Sequence, residues 1–130
     1  MSKCRWRVVV AEDDKCLRKA EVAALAEKGF TVISTKDGEE ALRVIQEEIP
    51  DLVLLDLLMP GRLGFAVLKE MKQNPKIASI PVIVLTNLAE SDWKVVRELG
   101  ATDYWVKADL TLEDLVTRVE KTLAGAGSPV

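Results

Sequence analysis

An α/β domain built on one parallel sheet is the architecture this sequence predicts, and three observations predict it. Short apolar runs alternate with longer amphipathic stretches five times along the chain. The runs Val8-Val9-Val10-Ala11, Leu52-Val53-Leu54-Leu55 and Val82-Ile83-Val84-Leu85 are continuously apolar, as strands covered on both faces are. Two of them lead directly into acids, Glu12-Asp13-Asp14 after the first and Asp56 after the second.

The strands read as Arg7–Ala11, Phe30–Ser34, Leu52–Leu55, Val82–Leu85 and Thr102–Val106. The helices read as Asp14–Lys28, Gly38–Glu48, Gly64–Gln73, Ser91–Leu99 and Leu112–Leu123. Acids favour helix N-termini, and Asp14 is the cap expected for the first helix. Gly29 ends it, where glycine most easily takes a left-handed turn, and Gly100 does the same after the fourth. The second strand, Phe30-Thr31-Val32-Ile33-Ser34, is mixed in polarity, as an edge strand can be. Asp37-x-x-Glu40 is a capping pattern for the second helix, whose expected apolar face is Ala41, Leu42, Ile45 and Ile49. Pro50 and Pro81 stop the segments before the third and fourth strands. Thr111-x-x-Asp114 caps the last helix, whose stripe is Leu112, Leu115, Val116, Val119 and Leu123. Parallel strands joined by helices need right-handed crossovers, which gives a three-layer (βα)5 sandwich with helices on both faces. The expected strand order is 2-1-3-4-5, the flavodoxin-like arrangement. Residues 1–124 read as the domain and 125–130 as a flexible tail or linker stump.

Composition narrows the function. The chain has 130 residues and a net charge of −3, from 18 basic and 21 acidic side chains, which argues against binding nucleic acid through bulk charge. No apolar stretch reaches the roughly 18 residues of a membrane helix, so no membrane association is expected. The two cysteines, Cys4 and Cys16, form no metal pattern, and the expected location is cytoplasmic with free thiols. There is no histidine, which excludes a histidine triad, a histidine metal site and a phosphohistidine on this chain.

Open parallel sheets bind ligands outside the carboxyl ends of their strands, at the switch point in strand order. Here that point lies between the strands ending in Glu12-Asp13 and Asp56, with Thr86 and Lys107 at the ends of the fourth and fifth. Two like charges about 4 Å apart cost roughly 4 kcal/mol at an effective dielectric near 20. A divalent cation removes that cost. Mg²⁺ suits hard oxygen donors, whereas zinc and iron–sulfur centres lack His or Cys ligands here. With a cation bound, Asp56 could attack a phosphoryl group while Lys107 neutralises its oxygens and Thr86 donates a hydrogen bond to one. Taken singly, these residues have blander readings: Asp56 a solvated loop acid, Lys107 a surface lysine, Thr86 a strand stop and Tyr104 a core aromatic. Their joint placement on one edge favours the chemical reading.

The ordered motifs resemble the receiver domain of two-component response regulators over about residues 5–123. They are Val-Val-Val-Ala-Glu12-Asp13-Asp14, Asp37-Gly38-x-x-Ala41, Pro50-Asp51-Leu-Val-Leu-Leu-Asp56, Met59-Pro60-Gly61-x-x-Gly64, Pro81-Val-Ile-Val-Leu-Thr86, Gly100-Ala101-x-Asp103-Tyr104 and Lys107. The resemblance implies a signalling switch rather than an enzyme, limited to Mg²⁺-dependent phosphotransfer and autodephosphorylation. It implies Asp56 as phosphoacceptor and Asp13, Asp56 and the Leu58 backbone carbonyl as Mg²⁺ ligands, with Glu12 acting through water. Thr86 and Tyr104 would be the switch pair and Lys107 the phosphate sensor. The donor would be a phosphohistidine on a sensor histidine kinase or phosphotransfer protein. The output would go to a downstream protein or fused domain, through the face of the fourth helix, fifth strand and fifth helix.

Three positions depart from that pattern. Ala108 stands where proline usually follows the lysine; a cis bond there would cost about 3–4 kcal/mol, so trans is expected. Leu63 replaces a common Asp. Asn87 replaces a small residue and, with Leu58, would modulate access to Asp56. The alternative function is a degenerate, unphosphorylated receiver serving as a protein-interaction adaptor. A hydrolase of the aspartate-nucleophile class fits less well, because Leu58 stands where its second Asp would be.

Overall fold

The computed structural model describes residues 6–57, 64–86 and 93–125. Among these, five strands form one parallel sheet: β1 (Arg7–Ala11), β2 (Thr31–Thr35), β3 (Leu52–Leu55), β4 (Val82–Thr86) and β5 (Asp103–Val106). Their order is β2-β1-β3-β4-β5, as expected. The helices are α1 (Lys15–Glu27), α2 (Gly38–Glu48), α3 (Gly64–Gln73), α4 (Trp93–Glu98) and α5 (Leu112–Gly125).

Local chemistry explains the boundaries. Asp14 caps α1 by accepting from the Leu17 amide at 3.0 Å. At α2, Asp37 accepts from the Glu40 amide at 2.8 Å, and the Glu40 carboxylate accepts from the Lys36 amide at 2.9 Å. At α5 the exchange is fully reciprocal: the Asp114 amide donates to Thr111 Oγ1 at 3.0 Å and the Thr111 amide to Asp114 Oδ2 at 3.2 Å. Gly29 and Gly100 have φ of 96° and 99°, the left-handed turn expected after α1 and α4.

The strands partition the core into two layers because successive side chains point to opposite faces. Val9, Val53, Leu55, Val82 and Val84 pack against α2, α3 and Val96 of α4. Val8, Val10, Leu52, Leu54, Ile83, Leu85 and Trp105 pack against α1 and α5. Tyr104 and Trp105 therefore face different layers. Asp103 accepts from Trp105 Nε1 at 2.8 Å, and the Arg118 guanidinium lies 5.5 Å from the indole centroid.

Some expectations are corrected. β2 runs from Thr31 to Thr35, one residue later than read, because Phe30 still bonds back to Leu25 through its amide. The Thr86 hydroxyl residue belongs to β4, and Thr102 precedes β5, where its side chain accepts from the Val82 amide at 3.2 Å. Ile49 is not on the apolar face of α2: it is its C-cap, at φ 45°, and 46% exposed. Pro50 forces the chain out of the helix there, which turns the side chain to solvent. Leu112 is 40% exposed, since the first residue of α5 overhangs the layer it begins to cover. α5 continues to Gly125, past the end of its apolar stripe and into the stretch read as tail. Residues 126–130 lie outside the described residues, as do the first two of the expected fourth helix.

Gly64 begins α3 against the backbone that follows β3. Its amide donates to Leu57 O at 3.0 Å. A Cβ added there would lie 2.4 Å from Asp56 O and 2.6 Å from Leu57 Cα, closer than atoms can pack. Gly64→Ala is expected to lower stability by about 1–3 kcal/mol in denaturant unfolding, through displaced backbone rather than lost contacts. An unchanged midpoint would show that this approach is not constrained.

Candidate functional site

The site follows from strand register. Ala11 of β1 pairs with Leu55 of β3, so the next residues, Glu12 and Asp56, leave the sheet side by side. Backbone bonds hold these exits level: the Asp56 amide donates to Ala11 O at 3.0 Å and the Glu12 amide to Thr35 O at 3.1 Å. The Arg18 guanidinium reaches back from α1 and donates to Glu12 O at 2.8 Å and to Asp13 O at 3.3 Å. The acidic turn is thereby clamped at both ends.

Carboxylate oxygens of Glu12, Asp13 and Asp56 all lie within 4.8 Å of one another. Asp13 is exposed, while Glu12 and Asp56 are only 2% and 5% exposed. Lys107 follows β5 and opens a short 3₁₀ turn, Lys107–Asp109. Its ammonium bridges the cluster, donating to Asp56 Oδ2 at 3.0 Å and standing 2.6 Å from Glu12 Oε1. The other Glu12 oxygen accepts from the Asp14 amide at 3.1 Å. The Lys107–Ala108 bond is trans, as expected where proline is absent.

Thr86 is buried at the end of β4, two residues beyond the Val84–Tyr104 pair. By alternation both belong to the face packed on α2, α3 and α4, where Tyr104 sits partly buried. Lys107 continues the Trp105 alternation toward the α1 and α5 layer. The Leu58 carbonyl, Leu63 and Asn87 lie outside the described residues.

Burial and crowding set the protonation of this edge. Burial pushes the Glu12 carboxyl up to about 7; the bonds from Lys107 and the Asp14 amide oppose this, and the Asp56 charge adds to it. Burial alone would lower the Lys107 ammonium, but its bonds and charge pairing with Glu12 and Asp56 win, and its pKa is raised. One ammonium is therefore shared among more anionic groups than it can neutralise. The donor set is hard oxygen throughout, which fits Mg²⁺ and not a thiophilic metal.

Two residues of this site escaped the sequence reading. Arg18 looks like any basic residue on a helix, and only the fold shows that it folds back on the acidic turn. Glu21 lies on α1 and is 3% exposed, with an Oε1 atom that has no hydrogen-bond partner. Its signal was present: Leu17, Glu21 and Leu25 fall at i, i+4 and i+8, so the acid occupies the stripe that faces the core. Burial pushes its carboxyl up to about 8, with the charges of Glu12, Asp56 and Asp14 adding to the rise and Lys107 opposing it.

That shift has a definite sign for stability. The folded chain holds the Glu21 proton up to about pH 8, whereas the unfolded chain releases it near the ordinary value of 4.5. Its contribution is thus fully present below about pH 4.5 and lost as pH rises to 8. Glu21→Leu is expected to be more stable than the parent by roughly 3–5 kcal/mol at pH 8 and by much less near pH 5. Urea unfolding at the two pH values checks this, and an equal gain at both would contradict a buried, titrating acid.

Known proteins share this arrangement. The sequence matches the family described as "Response regulator receiver domain" over residues 8–120. It is 35% identical over 130 residues to the "Probable transcriptional regulator ycf27" of Porphyridium aerugineum, covering 95% of this chain but 53% of that protein. The chain thus spans about half the length of that curated relative. The BeF3-activated N-terminal receiver domain of Klebsiella pneumoniae RstA superposes with a TM-score of 0.82 at 30% identity, covering 90% of this chain and 97% of that one. The chemotaxis response regulator CheY4 of Vibrio cholerae gives 0.83 at 25% identity, covering 90% and 98%. Sequence match, sheet order and acidic edge agree, and the chain belongs to the response regulator receiver family, the CheY-like domains of two-component signalling.

Proposed function

We propose that this domain is a phosphorylation-controlled switch in which Asp56 accepts a phosphoryl group. The observation that carries the reading is the Lys107 ammonium, drawn from 51 residues away onto Asp56 at 3.0 Å, beside the Glu12 and Asp13 carboxylates. A structural salt bridge would not need two further acids next to it. A phosphoryl site needs both the anions and the ammonium.

In this reading a Mg²⁺ ion, held by Asp13, Asp56 and the Leu58 carbonyl with Glu12 reaching it through water, would offset the anionic charge that opposes an incoming phosphate. An Asp56 oxygen attacks phosphorus as the phosphorus–nitrogen bond of a partner's phosphohistidine breaks, and the imidazole leaves. Lys107 steadies the oxygens of the transferring group, since its ammonium is already at Asp56. Thr86 would donate its hydroxyl to one of those oxygens, and Tyr104 would repack on the same sheet face. Such a rearrangement biases a two-state equilibrium and exposes a different surface on α4, β5 and α5. The partners are then a histidine kinase or phosphotransfer protein upstream and a protein or fused output domain downstream. Asn87 and Leu58 would set the access of water to the phosphoryl group, and hence its lifetime. The family acts as a switch, and turnover is limited to loss of its own phosphoryl group. Direct contact with nucleic acid and attachment to a membrane form no part of this reading, which places the domain in the cytoplasm.

Incubation with acetyl phosphate and Mg²⁺ followed by intact-mass analysis tests the proposal. One phosphoryl adduct is expected, absent in Asp56→Asn and absent after chelation of the metal. Asp13→Asn is expected to weaken Mg²⁺ binding by about 10-fold or more, read from intrinsic tryptophan fluorescence during titration. An adduct that persists in Asp56→Asn would move the chemistry elsewhere. Its absence from the parent chain would favour the adaptor reading.

A further inference from the structure

Glu21 is the one buried acid that the phosphoryl chemistry leaves unused among the described residues. It does not stand in closed packing. It shares a cleft of about 60 Å³ with Lys107, walled by Leu17, Leu85, Leu110 and Leu115 between α1, the end of β4 and the start of α5. Thr111 and Leu112 complete the wall. That volume exceeds the 10–15 Å³ or so that one water needs, so it can admit an ammonium group or a few waters. The cleft is apolar apart from Glu21, Thr111 and Lys107. A carboxyl oxygen without a partner in such surroundings is costly, and Lys107 brings a charged donor to the same cleft.

Lysine carries its charge on a flexible four-carbon stem with three donors that rotate freely. The Lys107 stem lines the cleft while its ammonium sits on Glu12 and Asp56. Rotation within that stem is the motion that would carry the ammonium toward Glu21. We propose that Glu21 is a positioning residue for Lys107, a second acceptor across the cleft for which the ammonium leaves Asp56. The inference rests on the proposed role of Lys107 at Asp56 and adds a control to it.

The direction follows from charge. A neutral Glu21 attracts the ammonium weakly and leaves it on Glu12 and Asp56. An ionised Glu21 competes for it and draws it from the phosphoacceptor. The charges that act on Glu21 are those of Glu12 and Asp14 from the acidic turn, Asp56 from the end of β3 and Lys107, which shares its cleft, from the end of β5. Burial above all, and then the three acids, hold the Glu21 proton on, and the lysine favours its release. Ionisation of Glu21 and arrival of Lys107 in the cleft are therefore mutually reinforcing.

The test uses the parent chain, Glu21→Gln and Glu21→Leu, each from pH 6.5 to 9.5. The first readout is the Lys107 Cε–Hε resonance, assigned by comparison with Lys107→Arg. It is expected to titrate with a midpoint near 8 in the parent and to lose that step in both variants. The second is the rate of adduct formation with acetyl phosphate and Mg²⁺. Between pH 7 and 9 the parent rate is expected to fall about threefold or more relative to Glu21→Gln, whose amide keeps the shape and cannot ionise. Glu12, which touches the ammonium, titrates near 7 in every chain, so the deciding step is the one near 8: its survival in Glu21→Gln, or its absence from the parent, overturns the proposal. So does the same rate profile in parent and Glu21→Gln. If no chain forms an adduct, the phosphoacceptor reading fails while the resonance still decides whether Glu21 holds Lys107. Glu21→Leu separates packing from charge, because a purely structural role would alter its stability without removing the Lys107 step.

Discussion

The Lys107 ammonium, at 2.6 Å from Glu12 and 3.0 Å from Asp56, is the contact on which the rest of the edge depends. Without it two nearly buried acids would face each other and Asp13 with their charge poorly balanced, at a cost of several kcal/mol in partly desolvated surroundings. The contact is also what ties β5 to β1 and β3 across the intervening β4. Lys107 is held there by charge, just past the last residue of β5. That makes it both a structural tie and a movable part. In the proposed switch, a group that replaces or outbids the carboxylates for the ammonium would loosen one end of β5 and carry a chemical event at Asp56 toward the surface of α4, β5 and α5.

The scaffold keeps that tie in register by means that are individually ordinary. Asp56 and Glu12 leave the sheet side by side because β1 and β3 are in step, and the amide bonds from Asp56 and Glu12 fix both exits. Arg18 spends its guanidinium on carbonyl oxygens rather than on the carboxylates. It therefore rigidifies the acidic turn without neutralising it. A cation at those carboxylates would compete with Lys107, while Arg18 stays on the carbonyl oxygens.

Much of this was legible in the sequence. The apolar runs and their acidic ends were enough to place Glu12, Asp13 and Asp56 together, since parallel order and strand polarity leave few alternatives. The capping pairs at Asp37–Glu40 and Thr111–Asp114 were equally readable, because their chemistry is local. Ile49 was misread because a period of 3.6 continued past the point where Pro50 stops the helix. Arg18 was not legible because its role depends on what α1 packs against, which no local pattern reports. Glu21 was also hidden by habit: an acid on a helix is taken to face water, and the leucines at i−4 and i+4 say otherwise.

The sheet divides the groups around Asp56 between two layers that do not touch. Lys107 and Glu21 belong with α1 and α5, while Thr86 and Tyr104 lie on the side of α2, α3 and α4. Charge is adjusted on one side and the seating of a hydroxyl and a ring on the other. Substitutions more than about 7–10 Å apart with no common partner combine additively in free energy. Where substitutions in the two layers share no partner they can therefore change independently, so a lineage can retune how strongly the edge holds an anion without disturbing the packing of the opposite layer. Coupling between such changes is confined to Asp56, where the two sides meet.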